Sequence, residues 1–124
     1  MKLTLAVAIG GAFGSVLRFM MVSAVSRIAP LTFPTGTLLV NVLGSFIVGM
    51  LYVWFIERTG VAPELRAFLI VGVLGGFTTF SAFSLDTVNL MMQDQYWKAS
   101  LYVVSSVLLS LLGTGLGVLL GRQT

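Results

Sequence analysis

The chain has 124 residues, of which 57% are hydrophobic and 9% are charged, and its formal net charge is +3. Its mean hydropathy of +1.04 is not that of a soluble domain, and its scattered Lys and Arg form no basic cluster of the kind that binds nucleic acid. Because the sequence contains no Cys and no His, thiol and imidazole chemistry and most transition-metal sites are excluded, and an enzyme is the least expected class. The composition indicates an integral membrane protein in contact with the lipid bilayer.

Four nearly uncharged segments are each long enough to cross a hydrocarbon core about 30 Å thick as a helix. The sequence therefore predicts an all-α membrane protein, with a single four-helix transmembrane domain over residues 1–124. The predicted spans are 3–25, 31–56, 67–85 and 99–121. The predicted loops are 27–30, 57–63 and 86–98, the last of them partly helical.

The first span contains a single charge, Arg18. A signal peptide does not explain an apolar run of this length, so the segment is predicted to be a retained span. Arg18 either extends its side chain to the membrane surface or contributes positive potential to a polar vestibule, where it would attract anions.

Glycines recur at every fourth position in two of the spans, at Gly10 and Gly14 in the first and at Gly113, Gly117 and Gly121 in the fourth. Such stripes let helix backbones approach closely in lipid. We interpret them as packing surfaces.

Polar residues also recur at every fourth position, at Thr37, Asn41 and Ser45 in the second span and at Tyr102, Ser106, Ser110 and Thr114 in the fourth. On a helix with 3.6 residues per turn each set lies along one face. The functional interpretation is a polar track across the membrane. The alternative is that the hydroxyls bond the carbonyls of their own helix and that Asn41 joins two helices.

The third span contains a Gly-Gly pair followed by a Thr-Thr pair within GVLGGFTTFSAFS at residues 72–84. This order predicts a helix broken at mid-membrane, which is tolerated where the freed carbonyls are buried in protein, face water or hold a cation. Phe80 and Phe83 follow the break and share one helical face. Their electropositive ring edges could coordinate a small anion, and core packing is the alternative.

The cations are almost evenly divided between the two membrane surfaces. Lys2, Arg58, Arg66 and Arg122 fall on the side of both termini, whereas Arg27 and Lys98, joined by Arg18 if it extends outward, fall on the other. With so little bias neither insertion direction is preferred. Dual topology, which would allow an antiparallel dimer, and a weakly biased single topology both remain open.

Three motifs, GGAFGSVLRF (10–19), GTLLVNVLGSF (36–46) and GVLGGFTTFSAFS (72–84), resemble in order and spacing those of the small bacterial Fluc (CrcB-type) fluoride channels. The resemblance covers the whole chain. It implies a multi-pass protein of the bacterial inner membrane that forms an antiparallel, dual-topology homodimer with two pores. It also implies passive fluoride export and a structural Na⁺ at the dimer interface.

The resemblance assigns roles to particular residues of this chain. It implies that Phe80 and Phe83 coordinate the anion, that Asn41 lines the pore together with Thr37, Ser81, Tyr102, Ser106 and Ser110, that Arg18 lies in a vestibule, and that main-chain oxygens of Gly75 and Thr78 hold Na⁺. The chain departs from the family at Ala82, where the family usually has Thr. If a hydroxyl at this position belongs to the track, Ala82 slows fluoride passage while the fold survives.

Two other classes compete with a fluoride channel. A small dual-topology, proton-coupled multidrug transporter needs a carboxylate in its first span, but this chain has Arg18 there and no acid before Glu57. A non-transporting membrane assembly subunit would need the glycine stripes alone, and the polar ladders would then be unexplained.

Overall fold

The protein was analysed as a computed structural model of one chain, which describes residues 1–58 and 60–124. Within these residues there are four helical segments long and apolar enough to cross a membrane and no strand. The spans are Lys2–Ile28, Thr35–Glu57, Pro63–Met92 and Tyr96–Gln123. The predicted all-α fold with four transmembrane helices is confirmed. The predicted loop 57–63 includes position 59, which lies outside the described residues.

The second and third spans are not uniform α-helices. The elements are α1 (Lys2–Ile28), α2 (Thr35–Tyr52) with a π-helical extension (Val53–Glu57), α3 (Pro63–Arg66), a π-helical segment (Ala67–Leu74), α4 (Gly75–Phe77), α5 (Phe80–Met92) and α6 (Tyr96–Gln123). α3, the π-helical segment and α4 together make the first half of the third span, and α5 makes the second half.

The second span begins four residues later than predicted. Pro34 directly precedes Thr35, and the residue before a proline is kept out of the helical region by contact with the proline ring. The prediction began the span at residue 31 because the sequence is apolar from there, but residues 31–34 form a turn and a bend instead.

The third span ends seven residues later than predicted, so the connection to α6 consists of residues 93–95 alone. Asp94 adopts the left-handed conformation (φ 57°), and the N–H of Gln95 donates to the carbonyl of Leu90 at 2.9 Å. This bond terminates α5 as a Schellman-type cap. The charge at Asp86 marks the end of the apolar run and not the end of the helix.

The glycine stripes are packing surfaces, as predicted. In one helix pair, α1 lies against the first half of the third span, where a Cβ on Gly14 would overlap the Val73 carbonyl. In the other pair, α2 lies against α6, where a Cβ on Gly117 would overlap the Phe46 carbonyl. Because lipid gives no hydrophobic drive to helix association, this backbone-to-backbone van der Waals contact is what holds the pairs together.

Polar contacts join the end of the second span to the C-terminal end of α6. Arg122 Nη2 lies 2.6 Å from Glu57 Oε1, and Arg58 Nη2 donates to the Gly121 carbonyl at 3.1 Å. Trp54 Nε1–H donates to Thr124 Oγ1 at 3.0 Å. These contacts place the two helix ends at the same membrane surface, as an even number of crossings between them requires.

The predicted break in the third span is present and lies at the Thr pair. Thr78 (φ −85°, ψ 155°) and Thr79 (φ −152°, ψ 117°) are extended, while Gly75 is still helical. The Gly pair therefore belongs to the helix, and the chain leaves the helical path only after Phe77. Since the span runs from residue 63 to 92, the break falls near mid-membrane.

Candidate functional site

The side chain of Asn41 binds the backbone at the break in the third span. Its Nδ2–H donates to the carbonyl of Thr79 at 3.0 Å, and the N–H of Thr79 donates to Asn41 Oδ1 at 2.7 Å. The amide thus pairs with both the N–H and the carbonyl of Thr79, which is extended. Hydrocarbon could not provide hydrogen-bond partners for these groups. The amide retains a second N–H for another acceptor.

Thr79 also caps the second half of the third span. Its Oγ1 accepts a hydrogen bond from the N–H of Ala82 at 3.1 Å and lies 3.2 Å from Ser81 Oγ. This is an N-cap of α5, whose first turn faces mid-membrane with the positive end of the helix dipole. The break therefore places a region of positive potential at mid-depth without any charged side chain.

A cavity of about 460 Å³ opens beside the break, between α2, the third span and α6. None of its lining residues is charged. It collects five of the residues proposed for the polar track and the anion site, Asn41, Phe80, Phe83, Ser106 and Ser110. We call this the central cavity. It offers uncharged hydrogen-bond donors and aromatic rings at the depth where the helix is broken.

Ser106 is the most informative donor of the central cavity. Its side chain is 6% exposed, and its Oγ has no hydrogen-bond partner among the described residues. A buried hydroxyl in a native structure is normally paired with protein, water or a ligand. Because Ser106 lines the central cavity, its unpaired hydroxyl is a donor that rotation of the side chain could offer to a bound anion or water.

Aromatic side chains form a continuous row that starts at the central cavity. The ring centroids of Phe80 and Phe83 are 5.3 Å apart, those of Phe83 and Tyr102 are 5.2 Å apart, and those of Tyr102 and Phe33 are 5.6 Å apart. Phe83 is held between two rings, whereas Phe80 is 79% exposed. Phe83 is therefore fixed by this chain, and the ring of Phe80 is open to whatever lies beside the protein.

The outer end of the predicted track lies outside the central cavity. Thr37 and Tyr102 are buried, one helical turn from Asn41 and Ser106, and the Tyr102 hydroxyl donates to Asp86 Oδ2 at 3.2 Å. Thr37 and Asp86 line a second cavity of about 290 Å³ beside the turn at residues 29–35. Of Thr37 and Tyr102, Thr37 lines the second cavity and Tyr102 lines neither.

Sequence reasoning missed the role of Asp86. It treated this residue as the end of a span, although Asp86 lies three residues after Phe83 and so falls on the same helical face. That spacing was the signal that could have placed its carboxylate beside the track.

Three residues of the predicted site lie apart from the central cavity or serve another role. Ser81 is exposed and contacts Thr79 Oγ1. Arg18 is half-buried in the middle of α1 and lines neither cavity. Ser45 lines the central cavity, and its carbonyl accepts a hydrogen bond from Thr114 Oγ1 at 2.9 Å.

Thr114 thus has a structural role, but it joins α6 to α2 and does not bond a carbonyl of its own helix as the structural alternative supposed. The part of that alternative in which Asn41 joins two helices is observed, because Asn41 of α2 bonds Thr79 of the third span.

The break also frees two main-chain oxygens. In an uninterrupted helix the N–H groups of Thr79 and Ala82 would bond the carbonyls of Gly75 and Thr78. Here they donate to Asn41 Oδ1 and Thr79 Oγ1 instead. Gly75 is exposed, with open space where a Cβ would lie. In the described part of the chain no cluster of three or more His, Cys, Asp or Glu side chains could hold a metal. Carbonyl oxygens are among the ligands that hard cations prefer.

Comparison with known proteins places the chain among close relatives. The sequence model of the CrcB-like family, described as "CrcB-like protein, Camphor Resistance (CrcB)", matches residues 5–118. The chain is 48% identical over 118 residues to the "Fluoride-specific ion channel FluC" of Rhizobium meliloti, covering 95% of this chain and 94% of the relative. It is 46% identical to that of Hahella chejuensis over 116 residues, with 94% and 91% covered. Against that of Geobacter sulfurreducens it is 43% identical over 123 residues, with 99% of each chain covered.

Proposed function

The chain belongs to the CrcB-like family, and from this premise we propose that it is a fluoride-specific ion channel that exports fluoride passively across a bacterial inner membrane. The single observation that carries the choice of ion is the similarity over nearly the full length to bacterial proteins named as fluoride-specific channels. The central cavity supplies chemistry that suits this ion.

Fluoride is small and strongly hydrated, so a pore must replace its water with dense donors. The second N–H of Asn41 and the hydroxyls of Ser106 and Ser110 are such donors, and they lie in one cavity with the rings of Phe80 and Phe83. The N-terminus of α5 adds positive potential. Because no charged residue lines the cavity, the anion is not held too tightly to leave.

In this proposal the second cavity is the outer end of the pore. We assign Thr37 and Tyr102 to the passage between the two cavities, and Ser81 and Arg18 to its approaches. Half-buried Arg18 would raise the local anion concentration in a vestibule.

The functional unit in this proposal is an antiparallel homodimer with two pores. Support comes from the nearly equal cation count at the two surfaces and from the open side of the central cavity, where Phe80 is 79% exposed. A second copy in the opposite orientation would cover this side and complete a passage. A chain with only four spans has little room for a complete pore of its own.

We further propose that Na⁺ binds between the two copies, held by the carbonyls of Gly75 and Thr78 from each. The residues fit such an ion, because both carbonyls have lost their helical donors and Gly75 leaves open space beside them. Bound Na⁺ would compensate the partial negative charge of the freed oxygens. Dimer dissociation measured in Na⁺ and in N-methylglucamine tests this directly, and equal dissociation in the two salts would contradict it.

The function is tested by reconstituting the purified protein in liposomes and recording fluoride and chloride efflux separately with ion-selective electrodes. We expect rapid fluoride efflux, no chloride efflux above that of protein-free liposomes, and no dependence on a proton gradient. Proton-coupled efflux of organic cations would identify a multidrug transporter instead. Absence of fluoride efflux, in the wild type and also in Ala82→Thr, would favour an assembly subunit.

A further inference from the structure

An apolar groove opens at the membrane surface that carries the N-terminus, outside the track described above. It has a volume of about 290 Å³ and lies where the start of α1, the end of the second span and the start of the third span meet. Its walls include Leu3, Ile56, Pro63, Arg66, Ile70 and Val71. We call it the Arg66 groove.

The described residues, 1–58 and 60–124, leave the walls of this groove exposed. Leu3, Ile56 and Val71 remain 49%, 46% and 58% exposed although they form its walls. The groove starts at the helix ends and extends inward to residues 70 and 71, two turns into the third span. It is therefore directed along the span and into the apolar layer, as a lipid acyl chain is.

One cation, Arg66, is among the residues that line the groove. Arg66 is exposed, and the only salt bridge among residues 1–58 and 60–124 joins Arg122 to Glu57, so no described carboxylate lies within 4.0 Å of the Arg66 guanidinium. Lys2, also exposed, is adjacent in sequence to Leu3 of the wall. A guanidinium binds phosphate through two parallel hydrogen bonds, and basic residues at a membrane surface attract anionic headgroups.

We propose that the Arg66 groove binds an anionic phospholipid, with one acyl chain along Ile70 and Val71 and the phosphate on Arg66. The apolar walls and the unpaired cation match the two ends of such a molecule. Ile70 lines both this groove and the central cavity, so the bound chain contacts a residue of the cavity wall from outside. The only part of the proposed function that this proposal uses is the location in a membrane. It would therefore stand if the channel transported a different ion.

Native mass spectrometry of the purified protein, titrated with phosphatidylglycerol and with phosphatidylcholine of the same acyl chains, tests the proposal. The wild type is expected to retain phosphatidylglycerol preferentially. Arg66→Gln is expected to weaken that binding about tenfold, as loss of one charge-assisted contact predicts. The matched control Arg27→Gln removes an exposed cation at the opposite end of α1 and is expected to leave it unchanged.

The acyl-chain contact is tested by Val71→Trp, which fills the groove and is expected to reduce binding of both lipids. Ile56→Phe serves the same purpose if Val71→Trp does not fold, with folding checked by circular dichroism and gel filtration. If Arg66→Gln and Arg27→Gln weaken phosphatidylglycerol binding equally, the binding depends on general surface charge and not on the groove, and the proposal is overturned. Two further results would overturn the proposal. One is unchanged lipid binding in a folded variant whose groove is filled by the larger side chain. The other is a wild-type protein that retains no lipid, together with an Arg66→Gln variant whose oligomers dissociate.

Discussion

The two helix pairs of this protein are built from the same small residues but use polar groups differently. Where α1 meets the first half of the third span, the closest approaches join glycines to backbone, as between Gly10 and Gly72. Where α2 meets α6, glycine contacts are accompanied by the side-chain bond from Thr114 to Ser45, and the central cavity opens beside them.

The difference separates scaffold from site. Close backbone packing leaves no room for a passage between α1 and the first half of the third span, so their contact surface supports the fold. The α2 pair adjoins the broken half of the third span, and Asn41 connects the two through Thr79. Substitutions in the first pair should therefore act on stability, and substitutions at the break should act on ion flux.

The largest effect on flux is expected for Asn41→Ala. The substitution leaves the N–H and carbonyl of Thr79 without partners and removes a donor from the central cavity. The lost donor is one hydrogen bond to a charged ion, worth about 1.5–3 kcal/mol, which corresponds to a roughly tenfold to hundredfold loss of fluoride efflux from liposomes. Gln123→Ala, an amide at the exposed end of α6, is the control and should conduct normally. A conducting Asn41→Ala channel would remove Asn41 from the site.

The next largest effect is on stability and is expected for Gly14→Ala. The added Cβ would overlap the Val73 carbonyl, so the helices must separate, at a cost of about 2 kcal/mol. Gly11→Ala is a matched control, because its Cβ would meet only the Gly72 carbonyl at 4.0 Å, an ordinary contact. Denaturant titration in detergent measures both. Equal stability of the two variants would show that this pair is not held by close backbone approach.

The sequence predicts those structural features of this protein that follow from a periodic pattern of residues. It does not predict features that depend on the conformation of neighbouring residues. The four spans and the glycine stripes follow from hydrophobicity and spacing, which any helix converts into faces. The helix bounds at Thr35 and Met92 were missed because they depend on Pro34 and on the left-handed conformation of Asp94, whereas the length of an apolar run does not report backbone conformation. Local turn chemistry, and not the apolar run, sets those ends.

The candidate site was predictable in part for the same reason. Spacing placed Asn41 on one face of the second span and Ser106 and Ser110 on one face of the fourth, and all three line the central cavity. It could not show that Thr114 bonds Ser45 across helices, or that Thr79 caps α5. Those partners come from other segments or from the irregular backbone at the break, which no periodic pattern encodes.

A moderate effect on flux is expected for Ser106→Ala. Its hydroxyl is buried and unpaired among the described residues, and Ser106 lines the central cavity, so its loss removes one donor from the dehydrated ion. One hydrogen bond to a charged group supports a roughly tenfold decrease in fluoride efflux. The adjacent Ser105→Ala is the matched control, because Ser105 Oγ already donates to the Leu101 carbonyl at 2.6 Å. Equal decreases in fluoride efflux in Ser106→Ala and Ser105→Ala would mean that any such substitution in α6 disturbs conduction, and that Ser106 does not contact the ion.

The smallest effect is expected for Ala82→Thr. Ala82 is half-buried and does not line the central cavity, while its N–H already donates to Thr79 Oγ1. A hydroxyl added here lies beside the track and not in it, so fluoride efflux should rise less than about threefold, equivalent to roughly 0.6 kcal/mol.

Ala82→Val separates the hydroxyl from the shape of the side chain, since Val and Thr differ mainly in that group. If efflux rises in Ala82→Thr but not in Ala82→Val, the hydroxyl itself assists the ion, and the passage extends past the cavity along the first turn of α5. A tenfold or larger rise would place this turn within the path and require the boundary between scaffold and site to be moved toward Ser81. If both variants conduct like the wild type, the passage is confined to the face that carries Phe80 and Phe83.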